Sequence, residues 1–289
     1  RLNQRGLVEL TGDRYLYSGK EFPSLRSWLE TNASLNVDWK SPSQPHPTMP
    51  EPIVNEAFVT ALGGKFQRLS FNGKERLLHA HGHTAQEMYM LKFGTFPRVP
   101  DAVVWPESHE DVEAIVKAAV EHDVVIIPYG GGTSVSQGLL CPENEKRMIV
   151  SVDMHAMNKI KWINKKNMMA CIECGAVGRD IEAKLTPHGV VLGHEPDSAE
   201  FSTLGGWIAT RASGMRKNRY GNIEDIVIHM KIVTPTGTIE KSVQSPRISA
   251  GPDLHHFILG SEGTFGIVTE AVVRLRPKAE VTKYGSIIF

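Results

Sequence analysis

From residue 98 onward the chain alternates short apolar runs with amphipathic stretches, the rhythm of strands and helices in an α/β arrangement. Residues 102–105 read as a short strand that Pro106 ends. Val112, Ile115, Val116, Ala119 and Val120 then recur at helical spacing and give the next helix one apolar face. Ser108 stands where that helix needs a cap, with Asp111 in its first turn. Residues 124–127 form a continuous apolar run, as expected of a strand covered on both sides. Further strands are predicted at 148–152, 159–163, 168–174, 226–233 and 267–275, and helices at 179–185, 204–211 and 253–259. Thr234-Pro-Thr-Gly237 has turn chemistry, with 238–243 as the returning hairpin strand. The pattern is weaker at the start of the chain. Residues 1–50 read as irregular, with one short helix around 23–30. Pro42, Pro45, Pro47, Pro50 and Pro52 exclude helix and central strand there and mark a linker. A helix at 53–62 is stopped by Gly63-Gly64, and the spacing of Thr84 and Glu87 starts another through Leu91.

Three glycine-rich stretches punctuate this rhythm. The first, Pro128-Tyr-Gly-Gly-Gly-Thr-Ser134, directly follows the strand at 124–127. The second, Pro196-Asp-Ser-Ala-Glu-Phe-Ser202, runs on into Thr203-Leu-Gly-Gly-Trp207, and the third is Gly260-Ser-Glu-Gly-Thr-Phe-Gly266. Glycine lets a backbone approach a ligand closely, and successive N–H groups in such turns bind anions. One such loop is an ordinary tight turn; three point to one extended, phosphate-bearing ligand, best matched by a dinucleotide. Gly130 and Gly132 have G-x-G spacing, and Asp153 lies downstream as in a Rossmann fingerprint. Val135 takes the third glycine position, however, and Thr-Ser-Val-Ser follows where a helix should open, which argues against a nicotinamide-type Rossmann site. No G-x-x-x-x-G-K-[ST] string occurs, so a P-loop is excluded as well.

Composition narrows the classes further. The 289 residues are 41% hydrophobic and 22% charged with zero formal net charge, enough for a large core and without the basic excess of a nucleic-acid binder. No apolar run reaches the length of a membrane span. Cys141, Cys171 and Cys174 make no disulfide framework and suggest a reducing compartment. Cys171-Ile-Glu-Cys174 lacks a second pair for zinc and reads as strand, so two buried inert thiols on opposite faces are expected. His79-Ala-His-Gly-His83 has metal-like spacing but no acidic or cysteine partner near it in the sequence, and no metal is expected. His255 and His256 fit helix packing and capping, whereas His194 and Glu195, just before the second glycine stretch, are candidates for the ligand's surroundings. Arg211 and Ser213 suit a phosphate or a ring carbonyl; Arg216, Lys217 and Arg219 suit a solvated basic edge. The chain opens on Arg1 and is read as a piece of a longer protein.

The glycine stretches together resemble the FAD-binding domain of the vanillyl-alcohol-oxidase/p-cresol-methylhydroxylase family. The strings Gly193-His-Glu-Pro-Asp-Ser198, Thr210-Arg-Ala-Ser-Gly-Met215, Tyr220-Gly-Asn-Ile-Glu-Asp225 and Gly251-Pro-Asp-Leu-His-His-Phe257 resemble its ether-lipid-forming branch. Glu9-Leu-Thr-Gly12, Ile53-Val-Asn-Glu56 and Ala80-His-Gly-His83 do so too. The resemblance implies an α+β fold: an N-terminal, mostly helical extension with a Pro-rich linker over 1–97, a two-subdomain FAD-binding domain over 98–278, and the start of a truncated C-terminal cap at 279–289. It implies that Pro128, Tyr129, Gly130, Gly131, Gly132, Thr133 and Ser134 cradle the pyrophosphate of FAD. Pro196, Asp197, Ser198, Ala199, Glu200, Phe201, Ser202, Gly205 and Gly206 would line the rest. So would Ala209, Thr210, Arg211, Ala212 and Ser213, and Ser261, Glu262, Gly263, Thr264, Phe265, Gly266 and Ile267. Some relatives attach flavin through a histidine at the first loop; this loop has none, so noncovalent FAD is expected.

The implied reaction exchanges the acyl chain of acyl-dihydroxyacetone phosphate for a long-chain fatty alcohol, with no net redox change. A homodimer, peripheral membrane association and a peroxisomal address are also implied, with no targeting signal visible. The catalytic residues are expected in a cap beyond Phe289, and none is assigned here. Two other readings stay open on the residues: a flavin-linked 2-hydroxy-acid dehydrogenase, and a non-catalytic FAD-binding fragment.

Overall fold

The computed structural model describes residues 3–11, 17–34, 49–64, 68–241, 243 and 245–288. Pro42, Pro45 and Pro47 of the expected linker lie outside the described residues, as do Gly12 and Ser242. The chain divides into two compact units, Arg1–His46 and Pro47–Phe289. The first holds a small antiparallel pair, Val8–Glu9 with Glu21–Phe22, and a helix, Leu25–Asn32. The helix was predicted; the hairpin was not, because two-residue strands carry no periodicity to read.

The second unit begins with helix α1 (Glu56–Leu62), strand β1 (Leu69–Ser70), and helices α2 (Gly73–Leu78) and α3 (Ala85–Phe93). α1 starts three residues later than the sequence suggests, because the Asn55 side chain accepts from the Phe58 N–H and sets the first turn there. Gly63 ends it with φ +46. Thr84 and Glu87 form the expected capping box of α3. β1 and α2 were not anticipated from the sequence.

Strand β2 (Ala102–Val104), helix α4 (His109–Glu121), strand β3 (Val125–Tyr129) and strand β4 (Ile149–Asp153) follow. They build a sheet of order β1-β2-β4-β3, in which β2 and β3 both run parallel to the central β4. α4 opens on a Ser108–Asp111 capping box and buries Val112, Ile115, Val116 and Ala119. Val120 does not join that face: it is 57% exposed, a quarter-turn off the apolar stripe. β3 is half-buried throughout rather than covered on both sides, because it is the sheet's edge strand. Phe58, Ile115, Val150 and Val152 lie at the centre of this core.

The second sheet is antiparallel. Strands β5 (Ile160–Asn164), β6 (Met169–Glu173), β7 (Val227–Thr234), β8 (Gly237–Glu240) and β9 (Ile267–Arg274) take the order β8-β7-β9-β6-β5. Helices α5 (Gly178–Leu185) and α6 (Leu204–Thr210) contribute Ile181, Leu185, Trp207 and Ile208 to its core. Cys171 and Cys174 pack into different apolar clusters, as expected of strand positions three apart. Burial pushes the Cys171 thiol up to about 12 and Cys174 well above its ordinary value, so neither is a thiolate at neutral pH. The helix expected at 253–259 is one turn, His255–Ile258, and Arg211 lies beyond α6 as a left-handed cap with φ 50.

Candidate functional site

The first glycine stretch leaves the C-terminal end of β3, where ligands gather in open α/β sheets. A Cβ on Gly130 would stand 2.5 Å from Thr203 Oγ1, and one on Gly131 would stand 2.2 Å from the Phe201 carbonyl oxygen. The first and second stretches therefore touch backbone to backbone, which only glycine permits. The third stretch closes on the first against a side chain instead: a Cβ on Gly263 would stand 2.9 Å from Cγ of the Pro128 ring. It is seated on α6 by bonds from Gly260 N–H to the Ile208 carbonyl, 3.2 Å, and from Glu262 N–H to the Ala209 carbonyl, 2.8 Å. Ser136 Oγ donates to Glu262 Oε2 at 2.6 Å and ties the rims together.

These contacts enclose a cleft of about 370 Å³, within the range of small-molecule sites. All seven expected residues of the first stretch line it, from Pro128 to Ser134. So do Pro196, Ser198, Ser202, Gly205, Gly206, Ala209, Thr210, Ala212, Ser261, Glu262, Gly263, Gly266 and Ile267. Asp197, Ala199, Glu200, Phe201, Arg211 and Ser213 stand outside it; Arg211 pairs with Glu224 at 3.3 Å, and Ser213 Oγ donates to Asn222 at 2.9 Å. Thr264 and Phe265 line a separate depression beside Val120 and Ile126. The sequence reading missed Val135, Ser136 and Gly138, which merely continue the first stretch, and Thr203, the N-cap of α6. Trp207, the end of the second stretch, was not singled out as a site residue yet lines the cleft; Met154, Cys174 and Ile258 also line it and carried no local signal.

The cleft fits the dinucleotide that the sequence implies. Among the described residues nothing accepts from the backbone N–H groups of Gly131, Gly132 and Thr133, which leaves three successive donors at the glycine turn. The floor is apolar, with Trp207 held by its Nε1–H donating to Ser202 Oγ at 2.7 Å, as a flat ring system requires. Glu262, which lines the cleft, takes left-handed backbone with φ 50, the kind of strain found where loops clamp ligands.

His194 lies behind Trp207, ring centroids 4.8 Å apart, buried and with neither ring nitrogen hydrogen-bonded. Burial holds its imidazole down at about 4, and burial aided by the Lys241 charge does the same for His255. Glu195, by contrast, pairs on the surface with Arg216 at 2.5 Å. Both depressed histidines stabilise the fold fully above the ordinary value of 6.5, and that stabilisation is lost as pH falls through about 4. Each represents on the order of 3 kcal/mol. Urea midpoints at about pH 7 and pH 4.5 should drop sharply for the wild type and less for His255→Gln, which cannot be protonated; equal drops would contradict the assignment.

His79 finds an acidic partner far off in the sequence, where local spacing could not show it: its Nε2 lies 2.8 Å from Asp153 Oδ2, across 74 residues. Among the described residues no group of three or more histidine, cysteine or carboxylate side chains is placed so that it could hold a metal ion.

Comparison with known proteins agrees with the cleft. Residues 100–242 match the model of an FAD binding domain, a span that holds the first two glycine stretches. An alkyldihydroxyacetonephosphate synthase of Caenorhabditis elegans is 45% identical over 290 residues, covering 100% of this chain and 49% of the relative. One from Dictyostelium discoideum is 38% identical over 300 residues, again over 100% of this chain and 48% of the relative. A crystal structure of an alkyldihydroxyacetonephosphate synthase superposes with a TM-score of 0.85 at 37% identity, covering 97% of this chain and 52% of that one. The chain thus spans about half the length of the relatives it matches. With the likeness running from end to end and through the glycine cleft, the chain belongs to the alkyldihydroxyacetonephosphate synthase family of FAD-binding proteins.

Proposed function

We propose that this chain is the FAD-binding part of an enzyme that exchanges the acyl chain of acyl-dihydroxyacetone phosphate for a fatty alcohol. One ester C–O bond breaks, one ether C–O bond forms, and a fatty acid is released, with no electron acceptor consumed. The observation that carries the reading is the meeting of all three glycine stretches around one cleft in a chain similar to such synthases along its whole length. The bound FAD supplies the covalent chemistry of the exchange. The protein's share is position and electrostatics: the N–H groups of Gly131 to Thr133 receive the pyrophosphate, and the Trp207 side supports the flat rings. On this reading 98–278 is the FAD-binding domain, 1–97 an extension and 279–289 the opening of a cap. The fatty alcohol, the dimer, membrane association and a peroxisomal setting belong to the same proposal.

The test begins with the visible spectrum of the purified chain and of its filtrate after denaturation. Flavin bands that pass into the filtrate are expected, since the first loop offers no histidine for attachment. Joined to the cap that is expected to carry the catalytic residues, and supplied with acyl-dihydroxyacetone phosphate and fatty alcohol, it should release fatty acid without an acceptor dye, whereas the 289-residue chain alone should not turn over. Bleaching of the flavin by a 2-hydroxy acid, with electrons passed to a dye, would instead establish a dehydrogenase.

A further inference from the structure

Beneath the first glycine stretch, residues from four elements converge on one buried pair. Tyr129 ends β3 and Asp153 ends β4, and the two are partners in the parallel ladder. His79, the residue that caps α2, reaches across to Asp153 at 2.8 Å, and both side chains are 7% exposed. The Asp153 carboxylate also accepts from the His155 backbone N–H at 2.9 Å and meets His155 Nδ1 at 2.7 Å. The Tyr129 ring lies against His79 with centroids 4.2 Å apart, and its hydroxyl donates to the Leu78 carbonyl at 3.3 Å. A Cβ on Gly132 would stand 2.2 Å from that hydroxyl, so the phenol fills the underside of the glycine turn, where φ is +67.

Both ring nitrogens of His79 are held. Nδ1 lies 2.7 Å from the Glu75 carbonyl and Nε2 lies 2.8 Å from the Asp153 carboxylate, so the ring cannot turn without losing a contact. The histidine bonds hold Asp153 well below the usual carboxylate range despite its burial, which keeps it the acceptor. The other groups facing His79 are Trp105, edge-on at 5.7 Å, Tyr129 and His155. Arg68 stacks on Trp105 at 3.8 Å and is paired with Glu75.

We propose that His79, oriented by Asp153, is a positioning residue for the first glycine loop: its ring seats Tyr129, and Tyr129 supports the turn at Gly132 that receives FAD. The inference rests on the FAD assignment of the cleft. His79 does not line the cleft and acts only through Tyr129, so its effect on FAD affinity should vanish once the tyrosine is replaced.

The test is FAD titration followed by flavin fluorescence on the wild type, His79→Gln, Tyr129→Leu and the double variant, with far-UV circular dichroism to verify folding. Both N–H groups of glutamine sit on one nitrogen, so it cannot hold the Glu75 carbonyl and the Asp153 carboxylate together, and His79→Gln should bind FAD about tenfold more weakly. In the Tyr129→Leu background the same substitution should cost nothing further, because its effect passes through the tyrosine. A folded His79→Gln protein with wild-type affinity, or equal losses in both backgrounds, would overturn the proposal. Should these variants not fold, Tyr129→Phe decides, since it keeps the ring on His79 and removes the hydroxyl under Gly132: wild-type affinity there overturns it. No FAD uptake by the folded wild type overturns the FAD assignment with it.

Discussion

Gly131→Ala is expected to weaken FAD binding by about tenfold to a hundredfold while leaving secondary structure intact, the affinity equivalent of the roughly 1–3 kcal/mol that forced overpacking costs. The added Cβ would meet the Phe201 carbonyl oxygen at 2.2 Å and Ser202 Cα at 2.7 Å. Both are backbone atoms, so no side-chain rotation relieves the clash, and the first two glycine stretches must part. Gly131 has no positive φ, so the whole effect comes from the contact rather than from backbone strain. Parting the stretches moves the N–H donors at 131–133 relative to the second stretch, and those groups receive the ligand. Gly285→Ala is the control: no atom lies within 4 Å of its Cβ position. Fluorescence titration of FAD against both variants checks the expectation. A Gly131→Ala protein with wild-type affinity would mean that the contact between the stretches does not shape the site.

The largest loss of stability is expected at Asp101, which is fully buried at the start of β2. Its carboxylate takes two bonds from the Arg98 guanidinium, at 2.8 and 2.6 Å, and one each from the Ile53 and Ile149 N–H groups, both at 2.8 Å. One side chain thus joins the segment before α1, the start of β4 and a buried arginine. Asp101→Ala leaves the Arg98 charge without its partner in the interior, and breaking such a pair costs about 3–5 kcal/mol. Urea unfolding should show a lower midpoint with an unchanged slope. Replacing both partners, Arg98→Met with Asp101→Leu, should recover most of the loss, because no unpaired charge is left behind. If Asp101→Ala alone unfolds at the wild-type midpoint, the pair is not what binds the strands of this sheet to the segment at 53.

The elements most legible in the sequence are those whose bonds are local. The capping boxes at Thr84–Glu87 and Ser108–Asp111 are made by residues three apart, and the apolar face of α4 repeats every turn. Most of the longer strands were placed within a residue or two for the same reason, since each carries a run of apolar side chains; the returning hairpin strand, expected over 238–243, has no such run and spans Gly237–Glu240. The short pieces were not legible. Gly73–Leu78, Lys217–Tyr220 and Ile223–Ile226 are one or two turns long, too short for propensity to hold without tertiary packing. In the site, the sequence marked the glycine stretches because close backbone approach requires glycine wherever it happens. It did not say which stretches would touch.

What the sequence determined by itself was therefore the class of elements, their caps and turns, and the presence of several anion-binding loops, all set by interactions within a few residues. Only the tertiary structure decided that Val125–Tyr129 is an edge strand, that Trp207 and Met154 share a cleft with the glycines, and that His79 meets Asp153. Those facts depend on pairs far apart in the chain. A contact of that kind leaves no local period or spacing, and it comes into being only when burial and strand pairing bring the partners together.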